Sequence, residues 1–402
     1  MTTTSNILKK NPLEMNYAGL TEWVEAYMKN ERDLGHVLLK PSPILLTTIY
    51  AKLVIQGEII ANKWVKLACE RHLEDLKRSK EDPDFPWKFD EEKGWRPIRF
   101  IEKKCHPTKG SFKHLVMQPW QHFVVGSMFG WINKSTGVRR YRESLIFVAR
   151  KNGKTELESG LADYMAGFDG ENGPNVYFLA NSQKQASLLY EGSRTMIKKS
   201  PWLSDRFVPN RREIRYPKTG GKILAMSAEK NNKDGENVHF AVFDEIHEYQ
   251  DYSLINVMRN SRGTRKQPLI VYITTAGYVL DGPLVDMVDQ GHDTLDNYED
   301  DINNRTFYYL ASLDDKEEVN DPKMWVKANP NIGLMQLADM ITDFQNERRV
   351  PAQFADWLTK RFNIFSEVDE LSYVTPEILQ KNTRHLDLEE LRSRECVGGY
   401  DL

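Results

Sequence analysis

Hydrophobic residues follow two patterns along the chain, and each pattern predicts a different kind of element. In the N-terminal part, apolar positions recur about every 3.6 residues across 45–60 and 62–80, which predicts amphipathic helices. Further along, apolar residues form short continuous runs, a pattern typical of strands that are buried on both faces of a parallel sheet. The predicted strands lie at 145–149, 176–180, 223–227, 240–243, 268–274 and 306–313.

Helical stretches separate these runs, and the alternation is typical of an α/β protein. The predicted helices lie at 122–131, 156–168, 185–199, 338–348 and 352–360. Ser182 is the expected N-cap of the third of them. Residues 81–111 contain four prolines and are predicted to be irregular. We therefore expect an α/β fold with a mostly parallel sheet flanked by helices, an N-terminal helical and irregular region (1–110) and a C-terminal connector (366–395).

Composition narrows the class of protein. Of the 402 residues, 40% are hydrophobic and 28% are charged, which is typical of a soluble globular protein. A net charge of −3 argues against a uniformly basic nucleic-acid binder but leaves local basic patches open. The three cysteines are far apart, and no apolar run approaches the ~20 residues of a membrane span. We expect a cytoplasmic protein without a disulfide framework or a membrane segment.

The tripeptide Gly153-Lys154-Thr155 carries the first chemical signal. It follows a predicted strand and opens a predicted helix, which is the arrangement of a phosphate-binding loop. Backbone N–H groups at the start of a helix face phosphate oxygens, and a glycine lets the backbone approach them. The lysine supplies a charge for the β- and γ-phosphates, and the threonine hydroxyl suits Mg²⁺. The residues assigned to ATP binding are Ala149, Arg150, Lys151, Asn152, Gly153, Lys154 and Thr155.

Two features of this loop leave its interpretation open. The first glycine of the full pattern G-x-x-x-x-G-K-[ST] would fall on Val148, so half of the motif is missing. Arg150 and Lys151 add two cations where phosphates would lie, and an arginine here would stabilise charge on the γ-phosphate during transfer. The alternative is a solvated basic turn.

Asp244 and Glu245 carry the second signal. Four apolar residues lead directly into them, so both carboxylates stand at the carboxyl end of a buried strand, where open α/β sheets bind ligands. Burial of two unpaired carboxylates is costly, which predicts a metal or a nucleotide as their partner. We expect Asp244 to hold Mg²⁺ through its water shell and Glu245 to activate the attacking water. The alternative is a strand that ends in an acidic turn.

Two more positions are candidates for nucleotide recognition. Thr274 and Thr275 stand where the strand at 268–274 ends, and their hydroxyls suit a sensor that relays loss of the γ-phosphate. A plain strand end followed by a turn is the alternative. Gln121, or Gln118, precedes the loop and offers the amide donor and acceptor that match the edge of adenine. A helix-start glutamine in solvent is the alternative there.

Several stretches, taken in order, resemble the large terminase subunit of tailed bacteriophages, the motor that packages DNA. They are FDEEKGWRPIRFIE (89–102), MQPWQ (117–121), VARKNGKT (148–155), VFDEIHEY (242–249), ITTAG (273–277) and WVKANPNIG (325–333). The phosphate loop of that family is often this deviant form. The resemblance implies an ASCE-type ATPase at 111–365, which binds ATP with Mg²⁺, followed by an RNase H-like nuclease.

The resemblance also implies roles for single residues. Arg150 would act on the γ-phosphate, Gln121 would contact adenine, and Thr274 with Thr275 would form the coupling motif. Ring motors commonly place an arginine of one subunit in the site of its neighbour, and Arg262 and Arg265 are the candidates. Contact with DNA or plain salt bridges are the alternatives for these two arginines.

The nuclease is the part in which the sequence departs from the family pattern. Its first metal-binding residue would be Asp401, and the chain stops one residue later. Since a two-metal nuclease needs several acids around ions ~3.5–4 Å apart, we expect 396–402 to be the start of a truncated nuclease with an incomplete site for a divalent metal. We accordingly expect no DNA cleavage.

The function implied by the resemblance is ATP-driven translocation of double-stranded DNA into a procapsid. Its partners would be the portal protein, the small terminase subunit and four further copies of the chain in a ring, in the host cytoplasm and transiently on the procapsid. One alternative is a helicase-type ATPase, which shares the same motifs and separates strands. The other is a non-hydrolysing, DNA-bound scaffold, against which the acidic pair argues.

Overall fold

The computed structural model describes residues 7–110, 114–227, 237–300, 302–365 and 381. Its strands are β1 (Trp87–Phe89), β2 (Trp131–Asn133), β3 (Glu143–Phe147), β4 (Asn175–Ala180), β5 (Val208–Pro209), β6 (Glu213–Tyr216), β7 (Gly221–Ser227), β8 (Val238–Asp244), β9 (Leu269–Thr274) and β10 (Thr306–Leu310). The first two form a separate antiparallel pair. The other eight form one sheet in the order β10-β3-β9-β8-β4-β7-β6-β5.

The large sheet is parallel from β10 to β7 and antiparallel only at β6 and β5. This confirms the predicted α/β fold with a mostly parallel sheet, and each predicted strand has a counterpart. Sequence analysis missed the β5–β6 hairpin. Its strands are short, and β6 alternates buried and exposed residues at the sheet edge instead of forming a continuous apolar run.

Helices cover the sheet and continue into the N- and C-terminal parts. They are α1 (Tyr17–Asp33), α2 (Thr47–Ile55), α3 (Lys63–Glu81), α4 (Glu91–Lys104), α5 (Pro119–Gly130), α6 (Lys154–Gly167), α7 (Gln183–Lys199), α8 (Pro201–Ser204), α9 (Ser253–Asn260), α10 (Pro283–Asp296), α11 (Leu337–Glu347) and α12 (Pro351–Phe362). The predicted N-terminal helices are present, and Ser182 caps α7 as expected. No helix in the described part of the chain is long and apolar enough to cross a membrane.

The prediction that 81–111 is irregular was wrong for α4. Pro97 lies inside this helix, which costs a backbone hydrogen bond. Other features outweigh that cost: Asp90 caps the helix by accepting from the Lys93 N–H at 3.0 Å, and acids in the first turn and lysines in the last turn suit the helix dipole. Gly94 lets α4 pack closely on α5, because a Cβ there would stand 2.9 Å from the Gly126 carbonyl.

Two hydrophobic cores meet beside the sheet. The larger one contains the buried faces of the sheet and the helices α2 to α7. The smaller one joins α1 to the segment 313–362, with Trp23, Trp325 and Phe344 at its centre. Ala149, in the predicted phosphate loop, is buried in this smaller core. The loop therefore lies where the main sheet meets the C-terminal segment.

The connectivity places a crevice at the carboxyl ends of the parallel strands. The chain leaves β3 toward β4 through α6, and it leaves β9 toward β10 through α10, so the two connections depart in opposite directions across the sheet. Ligands of open α/β sheets bind at such a switch point. The predicted connector (366–395) lies outside the described residues, and the domain divisions at 110, 365 and 395 stay predictions.

Candidate active site

The sheet order brings the predicted chemical groups to one edge. β9 lies between β3 and β8, with Phe147 opposite Thr274 and Asp244 opposite Ile273 in the parallel registers. The carboxyl ends of all three strands therefore coincide. The phosphate loop follows β3, the acidic pair ends β8, and the coupling threonines end β9, so the structure assembles three predicted motifs at one crevice.

The phosphate loop enters α6 through a glycine that the backbone requires. Gly153 has a φ of +79° and is the N-cap residue of α6, a conformation that favours glycine. Lys154 is the first residue of the helix, and Thr155 beside it is exposed. The first N–H groups of a helix have no partner within the helix, and such groups can bind an anion.

Val148 explains how the loop does without its first glycine. Its side chain is fully buried, and its N–H donates to the Thr274 carbonyl at 3.1 Å, so it continues the line of β3 into the core. Its carbonyl accepts from Lys154 Nζ at 3.3 Å. The turn begins only after this residue, and a side chain is tolerated at this position.

The acidic pair occupies a strained backbone at the end of β8. Glu245 has a φ of +50°, in the left-handed region that residues other than glycine rarely adopt, and its N–H donates to the Ile273 carbonyl at 3.2 Å. Such strain costs about 1–3 kcal/mol and occurs often at functional sites. Asp244 Oδ1 accepts from the Glu245 N–H at 2.9 Å, which fixes the Asp244 side chain against this turn.

The charge of Lys154 lowers the pKa of both acids, and the charge of Glu245 also affects the pKa of Asp244. Burial raises the pKa of Asp244, and the neighbouring charge of Glu245 raises it further against the opposing effect of Lys154. Burial also acts to raise the pKa of Glu245, but the hydrogen bond with His247 and the charges of Lys154, His247 and Arg150 outweigh it, so this pKa is lowered. The phosphate loop and the acidic pair thus share one electrostatic environment. Two ionised carboxylates buried at this position repel each other, and a bound cation would offset that repulsion.

His247 is a residue of this site that sequence analysis missed. Its Nδ1 lies 3.1 Å from Glu245 Oε2 and 3.0 Å from Thr274 Oγ1, so one imidazole joins the acidic pair to the coupling strand. Gly277 makes room for it, because a Cβ there would lie 2.6 Å from the ring. The motifs VFDEIHEY and ITTAG contain both residues, so their order was a signal that the analysis did not use.

The coupling threonines are buried between these groups. Thr274 Oγ1 donates to the Thr275 carbonyl at 2.9 Å and accepts from the imidazole Nδ1 of His247 at 3.0 Å. Thr275 Oγ1 is buried without a hydrogen-bond partner among the described residues. A hydroxyl of this kind is costly unless some state of the protein satisfies it.

Gln121 stands beside the loop as expected. Its Nε2 lies 3.9 Å from the position of a Cβ on Gly153, and its Oε1 accepts from the Gln118 N–H at 2.9 Å. The Gln118 side chain is already engaged by the backbone of Leu38, as acceptor at 2.9 Å and donor at 3.0 Å. Next to Gln121 is a largely apolar cavity of about 210 Å³, whose walls include Met117 and Leu157.

Arg262 and Arg265 are not brought to this edge. Arg262 Nη1 pairs with Glu143 Oε1 at 3.0 Å, at the amino end of β3. Arg265 donates to the carbonyls of Asn172 and Gly173 at 2.8 and 2.6 Å, before the start of β4. Both side chains therefore have partners within their own chain at the opposite edge of the sheet. A role in the site of a neighbouring subunit stays a prediction.

The donors at the edge fit a nucleotide that carries its own metal ligands. No group of three or more His, Cys, Asp or Glu side chains within the described ranges is arranged to hold a metal. Mg²⁺ commonly binds through one or two protein oxygens, substrate phosphates and water. Thr155 and Asp244 supply such oxygens on either side of Lys154. The fold, with the loop and the acidic pair at the carboxyl ends of the parallel strands, is typical of the P-loop class of α/β proteins.

Comparison with known proteins identifies the family. Residues 119–290 match the family described as terminase large subunit, ATPase domain, and residues 300–402 match terminase large subunit, endonuclease domain. The chain belongs to the large terminase subunit family, with ATPase and endonuclease domains. The resemblance inferred from the motifs is confirmed.

The chain is also similar to individual proteins. The chain is 22% identical to the terminase large subunit of Lactococcus phage p2 over 80% of its own length and 59% of that protein. It is 30% identical to protein YmfN of Escherichia coli K12 over 42% of its length and 37% of that protein. The fold is similar to the crystal structure of the HK97 bacteriophage large terminase, with a TM-score of 0.59 at 20% identity over 68% of this chain and 55% of that one. The chain thus spans well under two thirds of the length of these relatives.

The matches correct the prediction about the nuclease. We expected the nuclease to be missing apart from 396–402, but the endonuclease match begins at residue 300. The error arose because β10 pairs in parallel with β3 of the ATPase sheet, so the apolar run at 306–313 resembles a further strand of that sheet. The predicted absence of cleavage therefore loses its basis. Asp401 lies outside the described residues.

Proposed function

We propose that the chain binds ATP with Mg²⁺ at the phosphate loop and hydrolyses it to move double-stranded DNA into a procapsid. The observation that carries this proposal is the convergence of loop, acidic pair and coupling threonines at one sheet edge. Lys154 would bind the β- and γ-phosphates, and Thr155 and Asp244 would hold the metal. Bound Mg²⁺ would neutralise charge on the phosphates. Glu245 would orient and deprotonate the attacking water, with His247 fixing its carboxylate.

The remaining contacts follow from the same placement. Gln121 beside the apolar cavity would select adenine, and Arg150, whose charge reaches Glu245, would stabilise the γ-phosphate. Thr274 would report loss of that phosphate through His247. The partners that fit the family are DNA, the portal protein, the small terminase subunit and further copies of the chain in a ring of five. We propose that the chain acts with these partners in the host cytoplasm and transiently on the procapsid.

Family membership also supports a metal-dependent endonuclease activity to which residues 300–402 contribute. We propose Asp401 as one of its metal ligands. A supercoiled plasmid incubated with the purified protein and Mn²⁺ should be nicked or linearised. If EDTA makes no difference to cleavage, the metal-dependent proposal is wrong.

The ATPase proposal is tested by Lys154→Ala. Loss of this charge should weaken binding of a fluorescent ATP analogue about 10–100-fold, the equivalent of one charged hydrogen bond, and should reduce phosphate release to background. Lys198→Ala is the matched control, since Lys198 is an exposed lysine in the last turn of α7, outside the loop, and its loss should change either quantity only slightly.

Equal phosphate release by wild type and Lys154→Ala would rule out this site as the source of hydrolysis. A strand-displacement assay on a forked duplex separates the motor from a helicase. ATP-dependent release of the labelled strand would favour the helicase.

A further inference from the structure

The back of the phosphate loop is bonded to a distant part of the chain. The Ala149 N–H donates to the Ala328 carbonyl at 3.3 Å, and the Arg150 N–H donates to the Lys360 carbonyl at 3.0 Å. Both acceptors belong to the segment that matches the endonuclease family. These two hydrogen bonds therefore fix the backbone of Ala149 and Arg150 at the start of the loop.

Three buried asparagines complete this attachment. Asn152 Oδ1 accepts from the Asn331 N–H at 3.0 Å, and its backbone carbonyl accepts from Asn331 Nδ2 at 2.8 Å. Asn152 Nδ2 donates to Asn329 Oδ1 at 3.1 Å and to the Ala149 carbonyl at 3.0 Å. The three side chains are 0–8% exposed. We call this set of asparagines the amide latch.

The amide latch is itself fixed at both ends. Trp120 Nε1 donates to Asn331 Oδ1 at 2.7 Å, so α5 holds one side. Asn329 Nδ2 donates to the Arg361 carbonyl at 2.7 Å, so the end of α12 holds the other. Each amide group thus has partners of the right polarity, and the removal of one leaves a buried group unsatisfied.

The loop needs such support because its backbone is strained. Asn152 lies between Lys151, with a φ of +72°, and Gly153, with a φ of +79°. Gly153 adopts this conformation readily, but Lys151 does not, and a non-glycine residue in the left-handed region persists only where its surroundings determine it. The amide latch supplies those surroundings through the hydrogen bonds of Asn152 with Asn329 and Asn331.

We propose that Asn152, Asn329 and Asn331 are positioning residues that hold the phosphate loop in its binding conformation and link nucleotide affinity to the segment 325–362. The proposal rests on the nucleotide-binding function proposed above. Linkage is reciprocal: if the segment stabilises the binding conformation of the loop, then bound nucleotide stabilises the segment. The C-terminal part of the chain would thereby sense whether the loop is filled without touching the nucleotide.

The test is the dissociation constant for MgADP measured by calorimetry. Asn329→Ala should weaken binding about 10-fold, because it leaves the Asn152 amide and the Arg361 carbonyl without their partner. Asn62→Ala is the matched control. Asn62 is equally buried, and its side chain makes three hydrogen bonds, to the Leu310 carbonyl, to the Ser312 hydroxyl and from the Val65 N–H, but none to the loop. It should lower the melting temperature similarly and leave the dissociation constant unchanged.

Trp120→Phe keeps the proposal testable if Asn329→Ala does not fold. It removes the donor to Asn331 and keeps a smaller aromatic ring beside Tyr309, so it should weaken MgADP binding about 3-fold. Hydrogen exchange gives a readout that a purely structural role would not move. The Asn331 amide hydrogen should exchange more slowly with MgADP in the wild type and show no such change in Lys154→Ala.

The possible outcomes distinguish a failure of this inference from a failure of the proposed nucleotide-binding function on which it rests. If wild type binds MgADP, Lys154→Ala does not, and Asn329→Ala binds as tightly as wild type or no worse than Asn62→Ala, the amide latch has no positioning role. If the Asn331 amide ignores MgADP in the wild type, the linkage is absent. If wild type does not bind MgADP at all, the nucleotide function itself is wrong, and the inference is overturned with it.

Discussion

Glu245 shows how one residue combines strain, charge and geometry. Its backbone is left-handed, and its carboxylate oxygen Oε2 lies 3.1 Å from His247 Nδ1. The pKa of Glu245 is lowered chiefly because the His247 bond and the Lys154 charge outweigh burial. A carboxylate that stays ionised at neutral pH can orient and accept a proton from water.

Glu245→Gln tests this assignment. The amide keeps the shape of the side chain but cannot accept the proton of the attacking water. We expect phosphate release to fall about 10²-fold or more while MgADP binding stays within a few-fold of wild type. Glu248→Gln is the control, since Glu248 is a neighbouring acid whose Oε2 accepts from Gln185 Nε2 at 2.8 Å. Normal turnover by Glu245→Gln would show that another group is the base.

At the scale of elements, α4 and the strand ends explain where sequence analysis succeeded and failed. The strands β3, β8 and β9 were predictable because each is a continuous apolar run that stops at chemically distinctive residues. The helix α4 was not, because Pro97 suggested a break whereas capping by Asp90 and close packing at Gly94 decide the outcome. The β5–β6 hairpin was missed because its strands are short and neither forms a continuous apolar run.

The α4 helix also carries a titratable group that affects stability. Glu102 is buried, and its Oε1 accepts from the Met117 N–H at 3.0 Å. Burial raises its pKa to about 7, against the opposing effects of that hydrogen bond and Lys103. The folded state therefore binds a proton that the unfolded state, with an ordinary carboxyl pKa of about 4.5, has released. The stabilisation is complete below about pH 4.5 and is lost as the pH rises through about 7.

Glu102→Gln removes this dependence because glutamine stays neutral. We expect the melting temperature of Glu102→Gln to exceed that of wild type at pH 8, and the advantage to shrink as the pH falls to about 5. Glu91→Gln, an exposed position on the same helix, is the control for the loss of one charge. Melting curves of Glu102→Gln that run parallel to wild type across this range would show that the group is ionised in the folded protein.

At the scale of the whole molecule, the phosphate loop lies where two cores meet. The sheet supplies the front of the site, and the segment from Trp325 to Phe362 holds its back through Ala328, the amide latch and Lys360. Sequence analysis found the front because its residues follow strands in order. It did not find the back, since Asn152 and Asn331 are far apart in sequence and a hydrogen bond between them leaves no periodicity. The landmark WVKANPNIG marked the position without revealing the contact.

The same arrangement explains why the nuclease boundary was missed. β10 pairs with β3 along its whole length, so the start of the endonuclease match is physically part of the ATPase sheet. A domain boundary predicted from the hydrophobic pattern includes every strand of the sheet, whereas the family match reflects evolutionary relatedness. The assignment of the acidic pair, Lys154 and Thr155 does not depend on that boundary.

The central claim is that one triphosphate binds between the Gly-Lys-Thr turn and the acidic pair. The most direct measurement is an experimental structure of the protein with Mg²⁺ and a non-hydrolysable ATP analogue. We predict the β- and γ-phosphates on Lys154 and the loop N–H groups, the metal between Thr155 and Asp244, and the base beside Gln121. Density for the analogue elsewhere, for example in the cavity of about 320 Å³ between Tyr27 and Trp120, with the loop empty, would contradict the account.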